Sequence, residues 1–197
     1  MHAYITGYLN ETSEIVRQLL DGQVDNINKV IDLVIATKES QGRVFFVGVG
    51  GAAGTGSHSA NDFNKIAEVS SFCLTDNPSL LTALANDEGA ESVFARQMEM
   101  HHFDSNDLLF VYSVGGGSDT TSRNLVLAID LAHKLGAKVA GVVGKPDGYT
   151  AKFGDAVIVI PIIHKDRITP HSESFGLAMD HLIVNAIAKN GRWENGD

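Results

Sequence analysis

His58 and Asp62 stand four residues apart, just after the run Gly48-Val49-Gly50-Gly51-Ala52-Ala53-Gly54-Thr55-Gly56-Ser57. On a helix that spacing turns both side chains to one face. The small residues before them let backbone amides approach a ligand closely. Ahead of the glycines lies Arg43-Val44-Phe45-Phe46-Val47, a short apolar run with the β-branched and aromatic character of a buried strand. Strand, glycine-rich loop and helix start form a cradle for phosphate, because unpaired amides and the helix dipole favour an anion there. An imidazole and a carboxylate beside that cradle are placed for chemistry on whatever carries the phosphate. The same pair could instead cap or solvate a helix start.

A second loop of the same kind, Ser113-Val114-Gly115-Gly116-Gly117-Ser118, follows the apolar run 107–112, and Thr120 adds a hydroxyl nearby. Around the two loops, apolar runs alternate with helix-patterned segments. Runs at 43–47, 71–74, 107–112, 139–143 and 155–161 read as five strands. Two helices, broken at Gly22, precede the first strand, and a helix over 172–189 closes the chain. This alternation predicts one α/β domain over 1–197, with an N-terminal helical pair in 1–40 and a core in 43–190. The core is expected to be a doubly wound, five-stranded parallel sheet in the flavodoxin-like order 2-1-3-4-5. The first and third strands are neighbours in that order, so both glycine-rich loops open on one crevice. The polar tail from Gly191 is expected to fray.

Composition narrows the function classes. At 197 residues the chain can bury a proper core, and its formal net charge of -9 disfavours direct nucleic-acid or acidic-membrane contact. Cys73 is the single cysteine, so no intramolecular disulfide can form, and its apolar setting reads as a buried thiol. No secretion signal and no apolar run of membrane-spanning length is evident, which predicts a cytoplasmic protein. The spacing Gly48-x-Gly50-x-x-Ala53 matches a dinucleotide fingerprint only loosely. No acidic residue ends the second strand to bind a ribose, since Asp76 reads as a turn or cap. A nucleotide-dependent oxidoreductase is therefore the weakest reading.

Taken together, these stretches resemble the sugar isomerase (SIS) domain family and, within it, the phosphoheptose isomerases. The likeness spans nearly the whole chain. Family members carry Gly-Asn-Gly-Gly-Ser, then a His, then a Glu four residues on. Gly48-Val49-Gly50-Gly51-Ala52, His58 and Asp62 stand in those places. The family's Gly-Asn-Asp is matched by Ala85-Asn86-Asp87, and its Ser-rich phosphate loop by 113–118, with extra residues before Asn124. A Gln and a His eight positions apart on the family's last helix are matched by Glu173 and His181, with extra residues around Thr169-Pro170-His171-Ser172.

The resemblance implies a metal-assisted aldose–ketose isomerase acting on a phosphorylated sugar. The reaction it implies turns sedoheptulose 7-phosphate into D-glycero-D-manno-heptose 7-phosphate through an enediol(ate). His58, Asp62, Glu173 and His181 would hold a divalent metal such as zinc, with Asp62 as base and His181 as acid. Gly50, Gly51, Asn86, Asp87, Ser113, Gly115, Ser118 and Thr120 would contact the substrate. A homotetramer with sites at subunit interfaces is implied too. Geometry sets one condition: eight residues of straight helix separate Glu173 from His181 by about 12 Å. Both reach one metal only from an irregular helix start or from different subunits. His171 could stand in for either histidine. Another phosphosugar substrate, and a non-catalytic SIS-type protein that binds a sugar phosphate or a replication initiator, are the alternatives.

Overall fold

The computed structural model describes residues 1–192, so the last part of the polar tail, 193–197, lies outside the described residues. Two helices open the chain, α1 (His2–Gly22) and α2 (Val24–Glu39). The core follows as β1 (Val44–Val47), α3 (Gly51–Asp62), β2 (Ser71–Cys73), α4 (Pro78–Asp87), α5 (Val93–Met100) and β3 (Leu108–Ser113). It continues as α6 (Arg123–Lys134), β4 (Lys138–Val143), α7 (Tyr149–Phe153), β5 (Ala156–Val159) and α8 (Ile168–Ala188). A π-helical turn over Phe63–Ala67 extends α3, and a 3-10 turn over Lys165–Arg167 leads into α8. The five strands are all parallel and lie in the order β2-β1-β3-β4-β5, as the alternation of runs predicts.

Strand residues alternate between two cores. Phe46, Leu108, Phe110 and Tyr112 face α1, α2, α3 and α8, whereas Phe45, Val47, Leu109 and Val111 face α4, α5 and α6. Both faces of the sheet are thus covered, which is why its strands read as near-continuous apolar runs. At the N-terminal edge of the sheet the buried Asp107 carboxylate accepts from the backbone amides of Arg43 and Asp104. The Arg43 guanidinium meets it at 2.6 Å and also donates to the carbonyls of His101 and His102. This ties the start of β1 to the start of β3, so the loops at the other ends leave from neighbouring points. Cys73 is buried as expected, its sulfur 3.1 Å from the Thr75 hydroxyl, and burial pushes its thiol pKa up.

The starts of two helices shape the site. The closing helix begins at Ile168, not at 172, because Pro170 falls in its first turn, where a missing amide hydrogen costs nothing. The helix after the second loop begins at Arg123, behind a left-handed Ser122, so Ser118 and Asp119 belong to the loop. That loop is held by α7, an element too short to show periodicity. The Thr150 amide and hydroxyl both donate to the Gly116 carbonyl at 2.8 Å, and the Tyr149 amide donates to Gly117. Gly116 and Gly117 take φ of 74° and 83° there, a region open to glycine at no steric cost.

α1 is tied to the start of α8 by Glu11, whose carboxylate takes two bonds from Arg167, at 2.5 and 2.7 Å, and lies 3.1 Å from the buried His171 Nε2. Tyr8 stacks on the His171 ring. Hydrogen bonding from Arg167, chiefly, holds the Glu11 carboxyl at about 2, against the ordinary 4.5. A depressed carboxyl stabilises the fold in full above its unfolded value and loses that contribution as pH falls through its folded one. The α1–α8 tie should therefore persist until pH nears 2. A carboxyl titration by NMR should show Glu11 titrating near there, and Arg167→Gln should return it toward the ordinary range.

Candidate functional site

The end of α3 lies beside the middle of α8, and four side chains meet between them. His58 Nε2 is 3.2 Å from Asp62 Oδ2 and 4.0 Å from Asp180 Oδ2, and His181 Nδ1 is 3.3 Å from the same Asp62 oxygen. The two imidazoles meet edge to face, with ring centroids 5.1 Å apart. One ligand atom from each of His58, Asp62, Asp180 and His181 lies within 4.8 Å of the others. Both carboxylates are buried and both histidines reach the surface, so the cluster has a closed floor and an open mouth.

Asp180 decides what the cluster is suited to hold. Its side chain is 0 % exposed, and neither carboxylate oxygen has a hydrogen-bond partner. Burial raises its pKa above the ordinary carboxylate value, and the neighbouring Asp62 charge pushes the same way, while Ser59, His58 and His181 pull it back. A buried carboxylate without partners is costly unless a cation meets it. Two imidazoles and two carboxylates around such a point form the mixed nitrogen and oxygen donor set that zinc and similar divalent cations accept. Beneath the cluster, the Ser59 hydroxyl donates to the buried Tyr112 hydroxyl at 3.0 Å.

Glu173, expected in this set, is not part of it. Because α8 is already regular from Ile168, Glu173 lies two helical turns before His181, about 12 Å away along the axis. Its carboxylate rests instead on the α carbon of Gly51 at the start of α3. A β carbon at Gly51 would meet the Glu173 carboxylate oxygens at 2.5 and 2.6 Å. There Glu173 lines a crevice at the carboxyl ends of β3 and β4, together with Ala52, Thr55, Ser113, Val114 and Ser172. His171 is not in the cluster either, being engaged with Glu11.

The expected substrate contacts divide. Gly50 and Gly51 stand at the start of α3, and Ser113 lines the crevice, its hydroxyl accepting from the Gly116 amide at 2.9 Å. Gly115 and Thr120 are exposed on the second loop, whose turn Ser118 shapes by accepting from the Thr121 amide at 3.0 Å. Asn86 and Asp87 sit exposed at the end of α4, where the Asn86 amide donates to Asp87 at 2.7 Å. The residue that sequence reasoning missed is Asp180. Its signal was there: Gly176, Asp180, Ile183 and Ile187 recur at helical spacing, so this carboxylate stands in an otherwise apolar buried stripe.

Comparison with known proteins agrees with this architecture. The SIS domain matches residues 7–144. Phosphoheptose isomerase of Helicobacter pylori (strain HPAG1) is 31% identical over 166 residues, 82% of each chain. Among solved structures, phosphoheptose isomerase GmhA from Neisseria gonorrhoeae superposes with a TM-score of 0.83 at 22% identity, over 94% of this chain and 98% of that one. A phosphoheptose isomerase from Francisella tularensis gives 0.84 at 20% identity, over 96% and 98%. The chain belongs to the SIS domain family and falls among its phosphoheptose isomerases, which are aldose–ketose isomerases.

Proposed function

We propose that this protein converts sedoheptulose 7-phosphate to D-glycero-D-manno-heptose 7-phosphate, with zinc held by His58, Asp62, Asp180 and His181. The observation that carries the reading is the meeting of these four side chains around the unpartnered Asp180, in a chain of this family. When bound, the metal supplies Lewis-acid polarisation of the sugar's carbonyl. The phosphate is assigned to the second loop. Ser113 already accepts from the Gly116 amide, which leaves its hydroxyl proton for a phosphate oxygen. Gly115 and Thr120 offer an exposed amide and hydroxyl beside it. Grip on this remote group positions the reacting carbons. Asp62 faces His181 Nδ1, which orients the ring and leaves Nε2 to protonate the sugar oxygen.

A homotetramer is part of the proposal. Tyr4, Ile5, Leu9, Val16 and Leu20 form an exposed apolar stripe on α1, which supports burial against another copy. Crevice and cluster stand about 12 Å apart along α8 within one chain. The open face of the cluster, with both imidazoles exposed, suits completion by a neighbouring copy's crevice.

Metal analysis and turnover of sedoheptulose 7-phosphate test the function. About one zinc per chain is expected. His58→Ala and His181→Ala should each lose it, and turnover should fall by about 100-fold or more. Zinc with turnover of fructose 6-phosphate alone would move the substrate. A folded protein with neither metal nor turnover would point to a sugar-phosphate-binding role instead. Asp180→Asn should weaken zinc by more than the roughly 10–100-fold that losing an outer-shell partner costs. The same change relieves an uncompensated buried charge, so the metal-free protein should melt about 2–4 °C higher for each kcal/mol gained. Calorimetry with and without chelator separates the two effects.

A further inference from the structure

We propose that Glu173 is the base that takes and returns the carbon-bound proton during isomerisation. The inference rests on the isomerase reading above. Such a base must present a free lone pair to the bound sugar. Asp62, the carboxylate expected in this role, is buried and has both oxygens engaged. Its Oδ1 accepts from the Asn61 side chain at 2.8 Å, and its Oδ2 faces both His58 and His181. Asp180 is sealed beneath the cluster at 0 % exposure. Glu173 is the carboxylate that faces the crevice, half-buried, and among the described residues it makes no hydrogen bond or ion pair.

Its surroundings fit the task. Contact with Gly51 sets the carboxylate against the first turn of α3, where the Ala53 amide donates to the Gly50 carbonyl and the amides before it have no partner within the helix and can stabilise a developing oxyanion. The hydroxyls of Thr55, Ser113 and Ser172 line the same crevice. A carboxylate here repels a phosphorylated ligand, a cost that proton transfer at the sugar explains and passive binding does not.

The step balances without a co-reactant. A Glu173 oxygen takes the proton from C1 of the ketose, and the C–H electron pair becomes the C1–C2 double bond. The carbonyl π pair moves to the C2 oxygen, which takes up a proton. Glu173 then returns its proton to C2, the C2 oxygen keeps its hydrogen as a hydroxyl, and the C1 hydroxyl releases its proton as the C1 aldehyde forms.

Exchange of the C1 hydrogens of sedoheptulose 7-phosphate and of fructose 6-phosphate with deuterated water, followed by NMR, tests the assignment on the zinc-loaded full chain. Glu173→Gln should keep wild-type zinc content and melting temperature while exchange falls about 10²–10⁴-fold. Glu173→Asp should recover part of the rate. Gly51→Ala, which displaces the carboxylate without touching its chemistry, should lower exchange at unchanged zinc content. Glu173→Gln exchanging within about tenfold of wild type, or losing its zinc, would overturn the assignment and leave the isomerase standing. A folded, zinc-loaded wild type that exchanges neither sugar would overturn the isomerase reading, and the base with it.

Discussion

The regularity of α8 is the constraint on which the rest of the site depends. A helix spaces its residues by a fixed rise, so once the turn begins at Ile168 the distance from Glu173 to His181 is no longer adjustable. α3 packs alongside and meets α8 at both levels: Gly51 against Glu173 at one end, His58 and Asp62 against Asp180 and His181 at the other. Two chemical stations on one helix pair result. The upper one opens at the carboxyl ends of the strands, where a parallel sheet presents its loops to ligands. The lower one lies against the flank of the sheet and faces outward.

The two stations are electrostatically unlike. The lower concentrates negative charge that the fold itself does not neutralise, because Asp180 stands between an apolar core and two imidazoles. An uncompensated buried carboxylate costs stability there, a tension typical of groups retained for function. The upper station pairs a carboxylate with the positive end of a helix dipole, which eases the presence of a lone charge there. Around it the backbone is fixed in advance: the Arg43–Asp107 tie sets where the loops depart, and α7 holds the second loop through the Gly116 and Gly117 carbonyls.

Most of the fold was legible because a buried parallel sheet writes itself as apolar runs between helical patterns. The expected strand order was self-consistent, since it makes neighbours of the two strands whose glycine-rich loops open on one crevice. His58 and Asp62 were legible for the same reason, since four-residue spacing on a helix leaves little freedom. Glu173 was legible as a candidate but not in its place, because the helix expected from 172 is already regular from Ile168. Spacing within a family pattern carries a ligand over only if the start of the helix carries over too, and the extra residues around Ser172 fall at that start. Asp180 demanded a different question, namely which polar residue falls on an apolar stripe. Asn86 and Asp87, the matched dipeptide of the family pattern, stand at the surface on the end of α4.

The donor set of the cluster has one further consequence. Nitrogen and oxygen ligands hold the site together, with no sulfur among His58, Asp62, Asp180 and His181. The chain's sole sulfhydryl, at Cys73, is buried at the end of β2, and burial disfavours its reactive thiolate. The cluster therefore offers thiol oxidants no ligand to attack, and a cation held there should keep its ligands through oxidative stress that strips thiolate-bound zinc from other proteins.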